Sequence, residues 1–375
     1  MTDMPEAPDE YGELGDLEED VLDVDPDEEV LELQSEITAY GADYPVDGLV
    51  KRLNQKDIIV PTFYPNTPGI ETNAFQRQFV WSKPQMDKFI ESLLLGYPVP
   101  GIFLVRERTG KLLVLDGQQR LRTLQHYVNG TFRDKTYRLS AVQDEFENRS
   151  YSDLPDIYRR RLDDSIIHAT ILRQDDDSSS LGDSIYAIFE RLNTGGSILN
   201  PQEIRIALYH GPFLSAIAGL NENEDWRDLY GNRSPRFKDQ ELILRTLALF
   251  ERGDRYSRPL KGFLNDYAED NRSRGVKNLT PVLELFSFAA RILNESVGRR
   301  AFRPVRAINA AVLDSLLVGV MVSKERIEGM TKDEFVSSYD ALIGTAEYTE
   351  ATTSSTAAEE AVETRLRLAR EAFAE

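Results

Sequence analysis

The sequence predicts an α+β protein, with a mixed α/β N-terminal domain followed by an irregular all-α C-terminal bundle. Three observations predict it. From Leu49 to about Asn200, apolar stretches of strand length alternate with stretches at helical spacing. From Asn200 to Ala374 the apolar spacing is almost wholly helical. No repeat period runs through that second part, so a solenoid is excluded.

The elements follow in order. Residues 1–45 are dense in acid and poor in pattern, and most of them read as a disordered tail, with a short helix available at Val30–Tyr40. Asp57–Val60 reads as a short strand. Ser82–Gly96 is the clearest helix. Ser82 and Gln85 stand at capping-box spacing, and Pro84 falls in the first turn, where its missing N–H costs nothing. Met86, Phe89, Ile90, Leu93 and Leu94 form one apolar stripe, and Gly96 can take the left-handed stop conformation. Gly101–Val105 and Lys111–Leu115 read as strands around a turn at Thr109-Gly110. A helix from about Gln118 to Val128 follows, then a strand at Ser165–Leu172, an acid- and Ser-rich loop at Asp175–Ser180, and a helix at Ser184–Leu192. Asn200-Pro201-Gln202-Glu203 starts another helix, with cap, proline and acid in their preferred places. Beyond it, helices are expected at 212–220, 238–251, 259–270, 280–294, 304–323, 331–344 and 357–373. The Thr/Ser/Ala run at 349–357 reads as a linker. The domain plan is thus an acidic tail over 1–45, an α/β domain over 46–210, a helical domain over 211–348, and a linker with a terminal helix over 349–375.

Composition narrows the function. The chain has 375 residues and no cysteine, which removes disulfides, thiolate catalysis and Cys-based zinc sites and suits a cytoplasmic protein. The net charge of −20 is uneven: residues 1–50 hold 18 Asp or Glu and no Lys or Arg. Residues 51–375 hold 46 acids against 44 bases, a net of −2. A whole-surface attraction to DNA is therefore not supported, although a local basic site is compatible with this balance. The tail has a simple reading as a solubilising segment and a sharper one as a DNA-like arm covering a basic groove. The N-terminus lacks the basic start and apolar run of a secretory signal. The longest apolar stretch, Ala307–Val322, is shorter than the roughly 20 residues of a membrane span and contains Asn309 and Asp314, so it reads as a buried helix.

The richest chemistry lies in Leu112–Leu124, LLVLDGQQRLRTL. An apolar strand runs into Asp116-Gly117 and then into a helix. The first N–H groups of a helix have no internal partner and sit at the positive end of its dipole, so this turn is an anion site made from backbone alone. Gly117 permits a tight turn and the close approach of a phosphate. Arg120 offers a bidentate guanidinium, and Gln118 and Gln119 are neutral donors. Asp116, at the strand end, has the chemistry to bind Mg²⁺ or to orient a water. An alternative stands beside this: Asp116 caps the helix and Arg120 pairs with an acid.

Two further segments are polar in suggestive places. Phe75-Gln76-Arg77-Gln78-Phe79-Val80-Trp81 sets Gln76 and Arg77 between aromatics at the approach to a helix. Its aromatics suit core anchors, Arg77 suits either a salt bridge or a second phosphate contact, and Trp81 suits a hydrophobic staple. Phe189–Gly196, FERLNTGG, ends a helix in an open polar turn, where Asn193 and Thr194 either cap it or touch a nucleotide or metal.

Together these segments resemble one family. FQRQFVW, FIESLLLGYPVPGIFL, LVLDGQQRLRTL and FERLNTGGSILNPQEIR match, in order and spacing over about residues 57–210, the DUF262 domain. That domain is the N-terminal part of GmrSD-type, modification-dependent restriction proteins, related to the ParB/sulfiredoxin superfamily. The resemblance implies nucleotide binding and, in some members, hydrolysis coupled to DNA restriction. By position it implies phosphate contacts at Gly117, Gln118, Gln119 and Arg120, a metal or water ligand at Asp116, and cofactor contacts at Gln76, Arg77 and Asn193. Asp116, Gln119 and Arg120 are then the catalytic candidates. The implied cofactors are an NTP (GTP or ATP, with CTP as a further option) and Mg²⁺. The implied partners are DNA and a separate nuclease subunit, with no membrane.

One departure bears on this. Full restriction proteins of this type also carry an HNH nuclease region, whereas the only histidines are His126, His168 and His210, and no two stand at metal-ligand spacing. No Walker A sequence is present either, so a P-loop mechanism is excluded. The expected function is an NTP-hydrolysing component of DNA restriction or anti-phage defence. The alternatives are a nucleotide-switched DNA sensor that recruits a separate nuclease without turnover, and an interaction protein that keeps DGQQR for folding.

Overall fold

The computed structural model describes residues 21–22, 37–60, 81–107, 109–174, 186, 188 and 200–374. They fall into two units. One holds the described residues between 29 and 215 together with Pro259–Gly275, and the other holds Ala216–Arg258 and the residues from Val276 on, with the short strand β1 (Val21–Leu22). The fold class is α+β, as the apolar spacing predicts.

The first unit is built on one five-stranded sheet. Its strands are β2 (Ile37–Pro45), β3 (Ile58–Ile59), β4 (Ile102–Arg106), β5 (Leu112–Asp116) and β8 (Ile166–Gln174), in the order β2-β8-β4-β5-β3. β2 is antiparallel to β8, β8 parallel to β4, β4 antiparallel to β5, and β5 parallel to β3. A small hairpin, β6 (Thr131–Phe132) with β7 (Lys135–Thr136), stands apart from the sheet. Helices α1 (Val46–Asn54), α2 (Lys83–Leu95), α3 (Gln118–Val128) and α4 (Asp156–Asp163) belong to this unit. Ile167, Ala169 and Ile171 of β8, Ile102 and Leu104 of β4, and Leu112 and Val114 of β5 alternate onto one face. There they join the buried stripes of α1, α2 and α3 in a single core.

α2 forms for the reasons its sequence gives. Ser82 and Gln85 make the capping box, Gly96 takes the left-handed conformation at φ 78°, and the predicted five-residue stripe is buried. Two acids on its buried face hold the chain after β7. Asp87, fully buried, pairs with Lys83 at 2.5 Å and accepts from the Ser140 N–H at 3.0 Å. Glu91, one turn on, accepts from the Gln143 N–H at 2.6 Å.

Three stretches differ from the sequence reading. Ile37–Pro45 are strand, although they fall within the residues assigned to the acidic tail, and Ile37–Tyr40 are extended where a short helix was expected. Each residue from Ile37 to Pro45 is paired along β8, so the strand exists by its neighbour's hydrogen bonds and not by an apolar pattern of its own. The run read as a linker is helical over Ala346–Thr353. There Thr349, Thr352 and Thr353 turn their hydroxyls back onto carbonyls one turn earlier, at 3.1, 2.8 and 2.6 Å. The helix expected from 304 begins at Ala310, because Asn309 caps it by accepting from the N–H groups of Ala311 and Val312.

That helix, Ala310–Val322, is the buried centre of the second unit. The two polar residues that the sequence marks in this stretch are both used, and Ser315 turns its hydroxyl onto the Ala311 carbonyl at 2.7 Å. Asn309 is the cap, and Asp314 pairs with Arg245 at 2.6 Å and Arg365 at 3.0 Å, all three side chains at most 2% exposed. Gly319 lies so near the Ala369 carbonyl that a Cβ would stand 2.7 Å from its oxygen, which sets the close packing with the helix Glu359–Ala374. Among the described residues no helix is long and apolar enough to cross a membrane. Ile308–Asn309 form β9, which pairs in parallel with β1.

Candidate functional site

β5 ends at Asp116 and α3 starts at Gln118, so the DGQQR segment is the strand-to-helix turn its sequence predicts. Gly117 is the N-cap, with φ 93° and ψ 13°. A Cβ there would stand 2.4 Å from Ile102 Cγ2, so both the backbone angle and the space require glycine. No side chain caps the helix, which overturns the reading of Asp116 as a cap. Leu121 is the first residue whose N–H returns to the Gly117 carbonyl, at 3.0 Å. The N–H groups of Gln118, Gln119 and Arg120 bond no described residue, as expected at a helix start.

Arg120 is held on two sides. Its Nη2 donates to Asp116 Oδ2 at 2.7 Å and to the Gly101 carbonyl at 2.9 Å. The side chain is only 15% exposed, and its Nε is buried with no hydrogen-bond partner among the described residues. Asp116 is 44% exposed, and its Oδ1 is not engaged by any described residue. Gln119 Oε1 accepts from the Trp81 N–H at 3.4 Å, a long bond that ties the turn to the start of α2. Gln118 is half-buried beside them. Gln76, Arg77 and Asn193 lie outside the described residues.

The structure therefore brings Asp116, Gly117, Gln118, Gln119 and Arg120 into one turn. It adds Gly101, which sequence reasoning missed because it contributes only a backbone carbonyl. The arrangement suits an anion, with a fixed guanidinium, N–H groups that bond no described residue, and no side chain on Gly117. The Asp116 carboxylate already serves Arg120, and no group of three His, Asp or Glu among the described residues could share an ion.

The histidines take other places. His126 closes α3, and a carbonyl only accepts, so its Nδ1 donates to Thr131 O, at 3.1 Å. Burial pushes it below the usual imidazole range, and its ring packs edge-on to Phe132 at 5.2 Å. It is a packing histidine. His210 contributes its backbone carbonyl to Arg272, at 3.0 Å. His168 stands on β8 with Nδ1 2.8 Å from Asp43 Oδ1.

No curated protein matches the chain in sequence. A family model does: residues 53–210 match the one described as GmrSD restriction endonuclease, N-terminal domain. The match spans β3, β4, β5, β8 and the DGQQR turn. Over the same stretch that carries the motifs, the chain is therefore similar to the N-terminal domain of GmrSD-type restriction proteins.

Proposed function

We propose that the β5–α3 turn binds the phosphates of a nucleoside triphosphate, and that the chain hydrolyses it as a component of DNA restriction. The observation that carries this reading is the state of Arg120. Asp116 and Gly101 hold it in place, its Nε is buried with no partner among the described residues, and its own N–H and those of Gln118 and Gln119 open the helix without a bond to any described residue. A buried cation with an unsatisfied donor at a glycine-opened helix start is poised to receive anionic oxygens. GTP, ATP and CTP share those oxygens, and the turn does not choose among them.

In this reading Arg120 and the N–H groups of Gln118 and Gln119 neutralise charge on the phosphates. Gln119, fixed by Trp81, keeps its side-chain N–H₂ for an oxygen or a water. Asp116 Oδ1 orients a water, and the Oδ2–Arg120 bond fixes the carboxylate. Catalysis would rest on positioning and charge neutralisation. Among the described residues no group of three His, Asp or Glu could hold an ion, so magnesium arriving with the nucleotide would be held there chiefly by phosphate oxygens and water.

Purified chain incubated with each NTP and Mg²⁺, with and without DNA, tests this by phosphate release. Turnover is expected, and Arg120→Ala should lower it at least a hundredfold while circular dichroism stays unchanged. Binding without turnover would instead mark a nucleotide switch that recruits a separate nuclease. Absence of nucleotide binding would overturn both.

A further inference from the structure

The sheet carries a second polar pair on the face that bears Asp116. β2 and β5 end, and β4 and β8 begin, at one end of the sheet. Asp43 lies directly opposite His168, Thr170 opposite Phe103, and Phe103 opposite Asp116. Paired residues share a face, and residues two apart on a regular strand share it too; the register shift between Phe103/Asp116 and Leu104/Val114 takes Asp116 off the core face of Val114. His168, Thr170, Phe103 and Asp116 therefore line one face, while Ile167, Ala169 and Ile171 point into the core on the other.

The local chemistry of His168 is specific. Its Nδ1 lies 2.8 Å from Asp43 Oδ1, and the two side chains are 63% and 66% exposed. A carboxylate only accepts, so Nδ1 carries the proton and, in the neutral ring, Nε2 presents a lone pair. No described residue bonds Nε2. Small residues flank it on both neighbouring strands. A Cβ on Gly41 would stand 3.0 Å from His168 Cε1 and 3.4 Å from Nε2, so glycine makes room for the ring. A Cβ on Gly101 would stand 2.6 Å from the His168 carbonyl oxygen and 3.6 Å from His168 Cβ. Gly101 is also the residue whose carbonyl holds Arg120. Gly101, which has no side chain, thus stands beside both His168 and the Arg120 guanidinium.

We propose that His168, oriented by Asp43, accepts a hydrogen bond from a ribose hydroxyl of the nucleotide whose phosphates sit at Gly117–Arg120. The inference rests on the phosphate reading of that turn and extends it to the sugar. β8 and β5 lie two strand spacings apart, roughly 10 Å, a span that an extended nucleoside triphosphate covers. A fixed acceptor beside Gly41, Gly101 and Thr170 matches a hydroxyl donor, while Phe103, between Thr170 and Asp116 on the same face, is the one aromatic side chain among the four residues that line it. The pair therefore selects ribonucleotides over deoxyribonucleotides.

The test is equilibrium binding of a ribonucleoside triphosphate, its 2′-deoxy and 3′-deoxy counterparts, and inorganic triphosphate. Full-length chain, His168→Ala and Asp43→Asn are compared. The unaltered chain should favour the ribonucleotide over at least one deoxy form by roughly tenfold, the worth of one hydrogen bond. His168→Ala should bind all three nucleotides alike, Asp43→Asn should lose part of the preference, and both should keep their affinity for inorganic triphosphate. His168 and Asp43 are surface groups, and unchanged circular dichroism is expected of both variants. Equal binding of ribo and deoxy forms by the unaltered chain overturns this inference and leaves the phosphate site standing. So does a preference that survives His168→Ala. Failure to bind inorganic triphosphate or any nucleotide overturns the phosphate reading and this inference with it, by a different signature.

Discussion

Gly117 and Arg120 illustrate two degrees of legibility at the scale of single residues. Gly117 was readable because only glycine combines a tight strand-to-helix turn with close approach, and the structure adds the Ile102 side chain packed where a Cβ would go. Gly117→Ala should destabilise the chain by about 1–3 kcal/mol through its positive φ alone, with the Ile102 overlap adding to that. Urea denaturation at neutral pH measures it, and an unchanged midpoint would reject the account. Arg120 was readable only as a choice between an acid partner and an anion ligand. The structure shows the acid partner, Asp116, and also a buried Nε that this partner leaves unsatisfied. Its second anchor, the Gly101 carbonyl, has no side-chain signature, so no reading of residue types could find it. His168 and Asp43 were missed for a related reason. They stand 125 residues apart, and the strand that pairs them was hidden at the edge of the acidic tail.

Elements with chemical punctuation at their ends were legible, and elements made by their neighbours were not. Ser82 and Gly96 delimit α2, and Asn200 with Glu203 starts the helix Pro201–Leu208, both with the caps expected from sequence. β2 has no such marks and is specified by nine paired positions along β8. The helix Ala310–Val322 lies between these cases. Its apolar length and its two polar residues marked it as buried, but the partners of Asp314 come from helices 69 and 51 residues away. Those partners make a sharp prediction. Asp314→Ala leaves two buried guanidinium groups without their carboxylate, and breaking a buried pair in this way costs about 3–5 kcal/mol. Replacing all three together with apolar residues of similar volume, Arg245→Met, Asp314→Leu and Arg365→Met, should recover most of that loss. Denaturant midpoints of the two variants decide the matter, and equal losses would show that packing, not uncompensated charge, sets the cost.

For the whole chain, the charge is the property that sequence alone describes best, and the structure changes how it must be tested. Residues 1–36 hold 16 acids and no base, so their removal takes the net charge from −20 to −4. A chain cut at Leu49 would also remove Ile37–Pro45, the edge strand of the sheet, and Asp43 with it. Such a truncation would report on the stability of the sheet as much as on the tail. A chain beginning at Ile37 keeps the edge strand and removes the acid, at the cost of only the two-residue β1 paired with β9. If the tail acts as diffuse negative charge, its loss should raise affinity for duplex DNA at low salt. The gain should fade as added salt shortens the Debye length from about 30 Å at 0.01 M to about 8 Å at 0.15 M. If the tail instead occupies a DNA-binding surface, the gain persists at 0.15 M, and a peptide of residues 1–36 added in trans reverses it. The near-neutral balance of residues 51–375 favours the first outcome, because the domain left behind has no strong field for such an arm to mask. Titrating both chains with one duplex across that salt range separates the two, since screening removes diffuse repulsion far more readily than the contacts of an occupied surface.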